Sequence, residues 1–282
     1  MRPRPILSPT PTVPLVVLAL ALGVHAALKA LFFWRPYLVE VALPIEAATG
    51  GLVTTVTLAG LLSWAVLVGV VFVGLGRLRM ADLGLTRQAL REAMPVLIAL
   101  WALAQVAHVL LGTASGGATL AASAPTWTAA LGLRLQAVVG SGLLEETIYR
   151  GFLLVQAFAL LRTRMSRDQA VVWAVVASSI YFGINHVPAG LRAGLPLAEA
   201  LGFAAYSGLV GGMFAVLYIR TGNLFVAAGA HALINDPVPL FAAPVDPSVI
   251  VLTAAAALML AWPVLARRYR FPFGTVEGAP VL

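Results

Sequence analysis

Two adjacent carboxylates and a guanidinium stand inside an otherwise apolar run at Gly142-Leu143-Leu144-Glu145-Glu146-Thr147-Ile148-Tyr149-Arg150-Gly151. On a helix, Glu146 and Arg150 lie four apart on one face in the favoured acid-first order, and Glu145 turns about 100° away from Glu146. The spacing predicts a division of labour. Glu146 and Arg150 brace one another, and Glu145, less neutralised, is available as a general base toward water. A purely structural knot of the three charges is the alternative reading of the same decapeptide.

Two further polar groups follow. His186 ends the stretch Phe182-Gly183-Ile184-Asn185-His186, and Gly229-Ala230-His231-Ala232-Leu233-Ile234-Asn235 places His231 and Asn235 at i, i+4 on one helix face. Two donors on one face can hold an oxyanion. Either histidine alone reads equally well as a satisfied interior residue. Together with the glutamates they supply what amide hydrolysis needs, namely an activated water, a proton donor for the leaving amine and support for an oxyanion. Glu145, His186 and His231 are also chemically competent as a two-His, one-carboxylate zinc set with an open position, although no HExxH motif accompanies them. The chain has no cysteine, which removes disulfides, thiolate metal sites and a cysteine nucleophile.

The elements that must position these groups are membrane helices. Of 282 residues, 61% are hydrophobic and only 10% charged, against about 45–50% apolar and about 25% charged in a soluble domain. A helix needs roughly 20 apolar residues to cross a bilayer, and the alternating pattern of barrel strands is missing. The predicted fold is therefore all-α and polytopic. Apolar runs at Leu15–Phe33, Leu52–Leu75, Pro95–Leu111, Leu133–Leu161, Ala170–Val187, Leu201–Ile219, Leu224–Leu240 and Val249–Leu265 give about eight transmembrane helices. Charges at bilayer depth cost roughly 2.5–3.5 kcal/mol on insertion scales, so those in the fourth span must face protein or a water-filled cavity.

The net charge of +7 is concentrated in short connections. Arg77, Arg79, Arg87 and Arg91 fall in one, Arg162, Arg164 and Arg167 in another, and Arg267, Arg268 and Arg270 in the tail. That is the pattern of cytoplasmic loops rather than of a nucleic-acid face. Threading the spans accordingly predicts a multi-pass protein of the inner (plasma) membrane with both termini cytoplasmic. Residues 1–14 read as a Pro-rich lead-in, 15–266 as a single membrane domain and 267–282 as a cytoplasmic tail. The run after Arg2 and Arg4 is too long for a signal peptide and reads as a retained span.

The motifs EExxxR (Glu145 to Arg150), FxxxH (Phe182 to His186) and HxxxN (His231 to Asn235), in that order on successive membrane segments, resemble the three-motif signature of the CPBP family of CAAX proteases and bacteriocin-processing enzymes. The resemblance covers about residues 140–236 and includes the Arg220-Thr221-Gly222-Asn223-Leu224 entry to the third motif. It implies eight helices around a buried polar cavity and a glutamate-dependent, metal-independent peptidase. Carried over to these positions, Glu145 activates water, His186 helps to position it, His231 and Asn235 hydrogen-bond the carbonyl oxygen, and Glu146 and Arg150 brace the site. The implied partners are membrane lipids and a peptide, a membrane-associated protein or a lipidated, CAAX-like protein as substrate.

Two rival readings use the same residues. One is a non-catalytic scaffold or bacteriocin-immunity factor whose polar cluster only maintains the fold; the other is a transporter or proton channel, motivated by Glu, Arg and His within the membrane. The remaining intramembrane polar residues, Gln105 with His108 and His25 with Lys29, read as structural. Gly208 and Gly212 with Ser207 and Gly211 read as a close packing surface, and Gly140-Ser141-Gly142 as a place where another helix approaches Glu145.

Overall fold

The computed structural model describes residues 11–117, 119–121 and 126–269. Most of the Pro-rich lead-in, part of the 112–125 connection and the tail beyond Tyr269 lie outside the described residues. The chain is an all-α, multi-pass membrane protein, and among the described residues six helices are long and apolar enough to cross a bilayer. The principal helices are α1 (Leu15–Phe33), α2 (Thr55–Leu75), α3 (Arg87–Ala114), α4 (residues 127–161), α5 (Arg167–Ile184), α6 (Leu197–Thr221), α7 (Leu224–Asn235) and α8 (Pro247–Tyr269). The two expected spans outside the set of six are α4, which carries the buried charges, and α7, which has only 12 residues.

Local sequence sets the helix ends. Thr86 accepts a hydrogen bond from the Ala89 amide and starts α3 well before the expected Pro95, which sits inside the helix. A proline tolerated within a membrane helix accounts for that difference. Ser166 and Gln169 form a reciprocal capping box at the start of α5, and Asn223 caps α7 through the Phe225 amide. At its other end α7 stops at Asn235, ahead of Asp236 and Pro237, rather than continuing to Leu240. The backbone beyond it is held by α3: Trp101 Nε1 donates to the Val238 carbonyl at 3.3 Å, and Gln105 Oε1 accepts from the Leu240 amide at 2.8 Å. Gln105, expected to be structural, thus satisfies a non-helical segment in the way buried backbone requires.

Helix α4 is not uniformly wound. Residues Gln136–Gly142 and Thr147–Leu154 adopt i→i+5 bonding and leave Leu143–Glu146 as a four-residue α-helical island between them. Ser141 Oγ bonds back to the Gln136 and Ala137 carbonyls, and Thr147 Oγ1 to the Leu143 carbonyl at 2.7 Å, so hydroxyls share acceptors with the helical ladder at both boundaries. The glycines on either side of Ser141 permit close neighbours. A Cβ on Gly140 would lie 3.1 Å from Thr57 Cα of α2, and one on Gly142 would lie 2.9 Å from the Ala228 carbonyl of α7. Helices α5 and α6 pack closely as expected, with Gly208 against the Ser179 carbonyl.

The connections sort into two ends of the bundle. At one, Gln156 Oε1 accepts from the Val13 amide at 2.9 Å and Asn223 Nδ2 donates to the Ala89 carbonyl at 2.7 Å, which gathers the chain start, the 76–89 connection and the α6–α7 turn. At the other, the Ala121 amide donates to the Leu240 carbonyl at 3.0 Å, and the Arg192 guanidinium lies over the Phe33 ring at 5.7 Å. The Arg-rich connections are grouped at the first end.

Candidate active site

The α-helical island in α4 carries Glu145 and Glu146 in opposite roles. Glu146 is fully buried and its Oε1 receives Arg150 Nη1 at 3.1 Å and His231 Nδ1 at 2.9 Å. Arg150 is also fully buried. Its Nη2 donates to the Gly211 carbonyl of α6, and its guanidinium lies 4.8 Å from the centroid of Phe182, with Tyr149 and Phe214 a little farther away. The i, i+4 pair expected from the sequence therefore exists, and it also ties α4 to α6 and α7.

His231 stands between the two carboxylates. An ionised carboxylate only accepts hydrogen bonds, so the 2.9 Å contact puts the proton on Nδ1. The ring stacks on Phe214 with centroids 4.6 Å apart, and its Nε2 faces Glu145 Oε2 at 3.9 Å. That separation is too long for a direct hydrogen bond and too short for a water to lie between the two atoms, so a water touching Oε2 sits to one side of the pair. Helix α7 reaches this position because Gly142 admits it against α4.

Glu145 keeps 12% of its side chain exposed. Its Oε2 is turned to His231, and its Oε1 contacts Lys29 Nζ of α1 at 3.4 Å. His186, just beyond α5, donates from Nδ1 to the Phe182 carbonyl at 2.8 Å, a bond that leaves Nε2 as the acceptor in the neutral ring. Its ring packs on Phe182 at 4.5 Å. Asn235 lies farther out. It is exposed and its Nδ2 donates to Ser141 Oγ at 3.0 Å, one turn before Glu145 on α4. The structure thus draws Glu145, Glu146, Arg150 and His231 into direct contact, sets His186 against the same aromatic wall, and leaves Asn235 at the rim.

Lys29 and His25 were not assigned to the site from the sequence. Both belong to it spatially. His25 Nδ1 lies 3.2 Å from Tyr181 Oη, and its ring meets Tyr149 edge-on at 5.6 Å. The signal was their i, i+4 spacing on an apolar span, where ionisable groups seldom stand without a partner.

Two cavities flank α7 and share Ala137 and Asp236 in their walls. One, of about 510 Å³, is apolar and is lined by residues including Met94, Leu97, Trp101, Phe225 and Leu233. The other, of about 430 Å³, is polar and contains Gln136, Ser141 and Asn235. Arg134 and Asp236 pair across the boundary between them. No group of three or more His, Cys, Asp or Glu side chains is placed to hold a metal ion among the described residues.

Residues 125–235 match the family model of type II CAAX prenyl endopeptidases, Rce1-like. The match begins at the start of α4 and ends on Asn235, and so spans all three motifs. No curated protein and no solved structure matches the chain.

Proposed function

We propose that this chain, which belongs over residues 125–235 to the CAAX-type intramembrane endopeptidases, cleaves a peptide bond with a water activated by Glu145. The carrying observation is the unequal treatment of the two adjacent carboxylates. Glu146 is committed to Arg150 and His231, and Glu145, partly exposed, presents Oε2 on the side of His231 Nε2.

In this reading the water binds Glu145 Oε2 beside His231, and His186 Nε2, a lone-pair acceptor, helps to orient it. Glu145 takes a proton as the water oxygen attacks the carbonyl carbon. The oxyanion accepts from the Asn235 amide hydrogen not used by Ser141, beside the His231 ring. When the C–N bond breaks, the leaving amine takes its proton from Glu145, which restores the carboxylate. No step requires a metal. The apolar cavity beside α7 offers room for a lipid chain or large apolar side chain of a membrane-associated substrate, and the adjoining polar cavity for peptide backbone. The distribution of arginines orients the protein in the inner membrane with its termini inside.

The test compares protein and peptide termini in host membranes that contain wild type or Glu145→Gln at matched abundance. New termini seen only with wild type support the peptidase. Identical termini, with both proteins inserted and stable, would replace it with a non-catalytic scaffold.

A further inference from the structure

We propose that Lys29 on α1 completes the active site as the positioning residue for Glu145, so that the site depends on a helix outside the family-matched segment. The proposal rests on the hydrolytic reading above, and its first support is charge balance. The buried Glu146 and the largely enclosed Glu145 each call for a cation in a medium where an unpaired charge is very costly. Arg150 is spent on Glu146. Lys29, with Nζ 3.4 Å from Glu145 Oε1, supplies the second.

The second support is that α1 is built to deliver this contact. Its buried face runs Val17, Ala21, His25 and Leu28, and Lys29 follows His25 by one turn. The helix is fixed in register at that turn, because Tyr181 Oη of α5 donates to the Leu22 carbonyl and meets His25 Nδ1, both at 3.2 Å. Tyr149 of α4 closes on the other side of the His25 ring. The lysine one turn on then brings its ammonium to the Glu145 carboxylate.

The consequence is geometric. With Oε1 held by Lys29, Glu145 cannot turn both oxygens toward the histidines, and Oε2 is the oxygen left facing His231. Lys29 therefore fixes which oxygen meets the water without touching the substrate. Lys29 is the one lysine or arginine on α1.

The experiment uses the purified full chain in detergent, with Lys29→Met and Lys29→Arg made alone and together with Glu145→Gln. Cleavage is followed on a peptide identified from the membrane comparison, and thermal stability is measured on every variant. Lys29→Met is expected to lower kcat by about tenfold to a hundredfold with little change in KM. Lys29→Arg should recover most of that loss. Lys29→Met should also lower thermal stability, and adding Glu145→Gln should restore part of it, because the carboxylate left unpaired is then neutral. Wild-type turnover in Lys29→Met, or stability losses that simply add, would overturn the proposal. Coupled stabilities in a wild type that cleaves no peptide would support the Lys29–Glu145 pairing and sink the peptidase reading instead.

Discussion

Replacing Arg150 by methionine tests the brace that holds the site together. Methionine keeps the unbranched apolar stem without the guanidinium and suits the surrounding ring faces of Phe182, Tyr149 and Phe214, so the charge is lost together with some packing. Glu146, fully buried, would retain only His231 on Oε1, and the Gly211 carbonyl would lose its guanidinium donor. Breaking a buried ion pair from one side costs about 3–5 kcal/mol, since the surviving charge is left without its partner. Arg150→Met should therefore unfold at much lower denaturant in an SDS titration followed by helical circular dichroism. The double variant Glu146→Gln/Arg150→Met removes both charges, and should be more stable than the sum of the single losses by on the order of 1–3 kcal/mol. It should remain inactive, because His231 loses the carboxylate that sets its Nδ1. A double variant whose losses add would mean that the pair contributes no mutual stabilisation, and would refute the brace.

Two further outcomes follow from the geometry. Asn235→Ala should lower kcat by about 100–1,000-fold with KM nearly unchanged, as loss of an oxyanion donor does, and steady-state cleavage kinetics at matched abundance measure this. Gly142→Val should separate α7 from α4, because a Cβ there would meet the Ala137 carbonyl at 2.8 Å and the Ala228 carbonyl at 2.9 Å. Activity is then lost though all four site residues are intact, and a cysteine pair introduced across the α4–α7 contact should cross-link less efficiently than in the parent chain.

The sequence made the helices legible where apolar length alone defines them. Leu15–Phe33 coincides with α1 end for end, because a lipid-facing helix needs nothing beyond its apolar run. Elsewhere polar detail decides. α3 begins at the Thr86 cap rather than at Pro95, and α7 ends where Asp236 turns to Arg134 instead of continuing through the apolar residues to Leu240. The Glu146–Arg150 pair was legible because both partners lie on one helix within a turn. The contact of His231 with Glu146 and that of Lys29 with Glu145 were not, since each joins residues far apart in sequence and depends on how closely helices approach.

The winding of α4 links these observations. With i→i+5 turns before and after Leu143–Glu146, a residue on this helix is rotated relative to where uniform α-winding would put it. The wider turns place small residues at Gly140 and Gly142 against α2 and α7, and the α-helical island keeps Glu145 and Glu146 on different faces. One face meets Arg150 and α7, and the other meets α1. A uniform helix with the same motif would satisfy the spacing of Glu146 and Arg150 equally well, but nothing in that spacing brings α1 and α7 to opposite sides of Glu145. The three-motif pattern therefore specifies the groups, and the close helix contacts around α4 specify their separation. For that reason substitutions at Gly142 and Lys29 discriminate between an assembled active site and a set of polar residues that merely share a membrane interior.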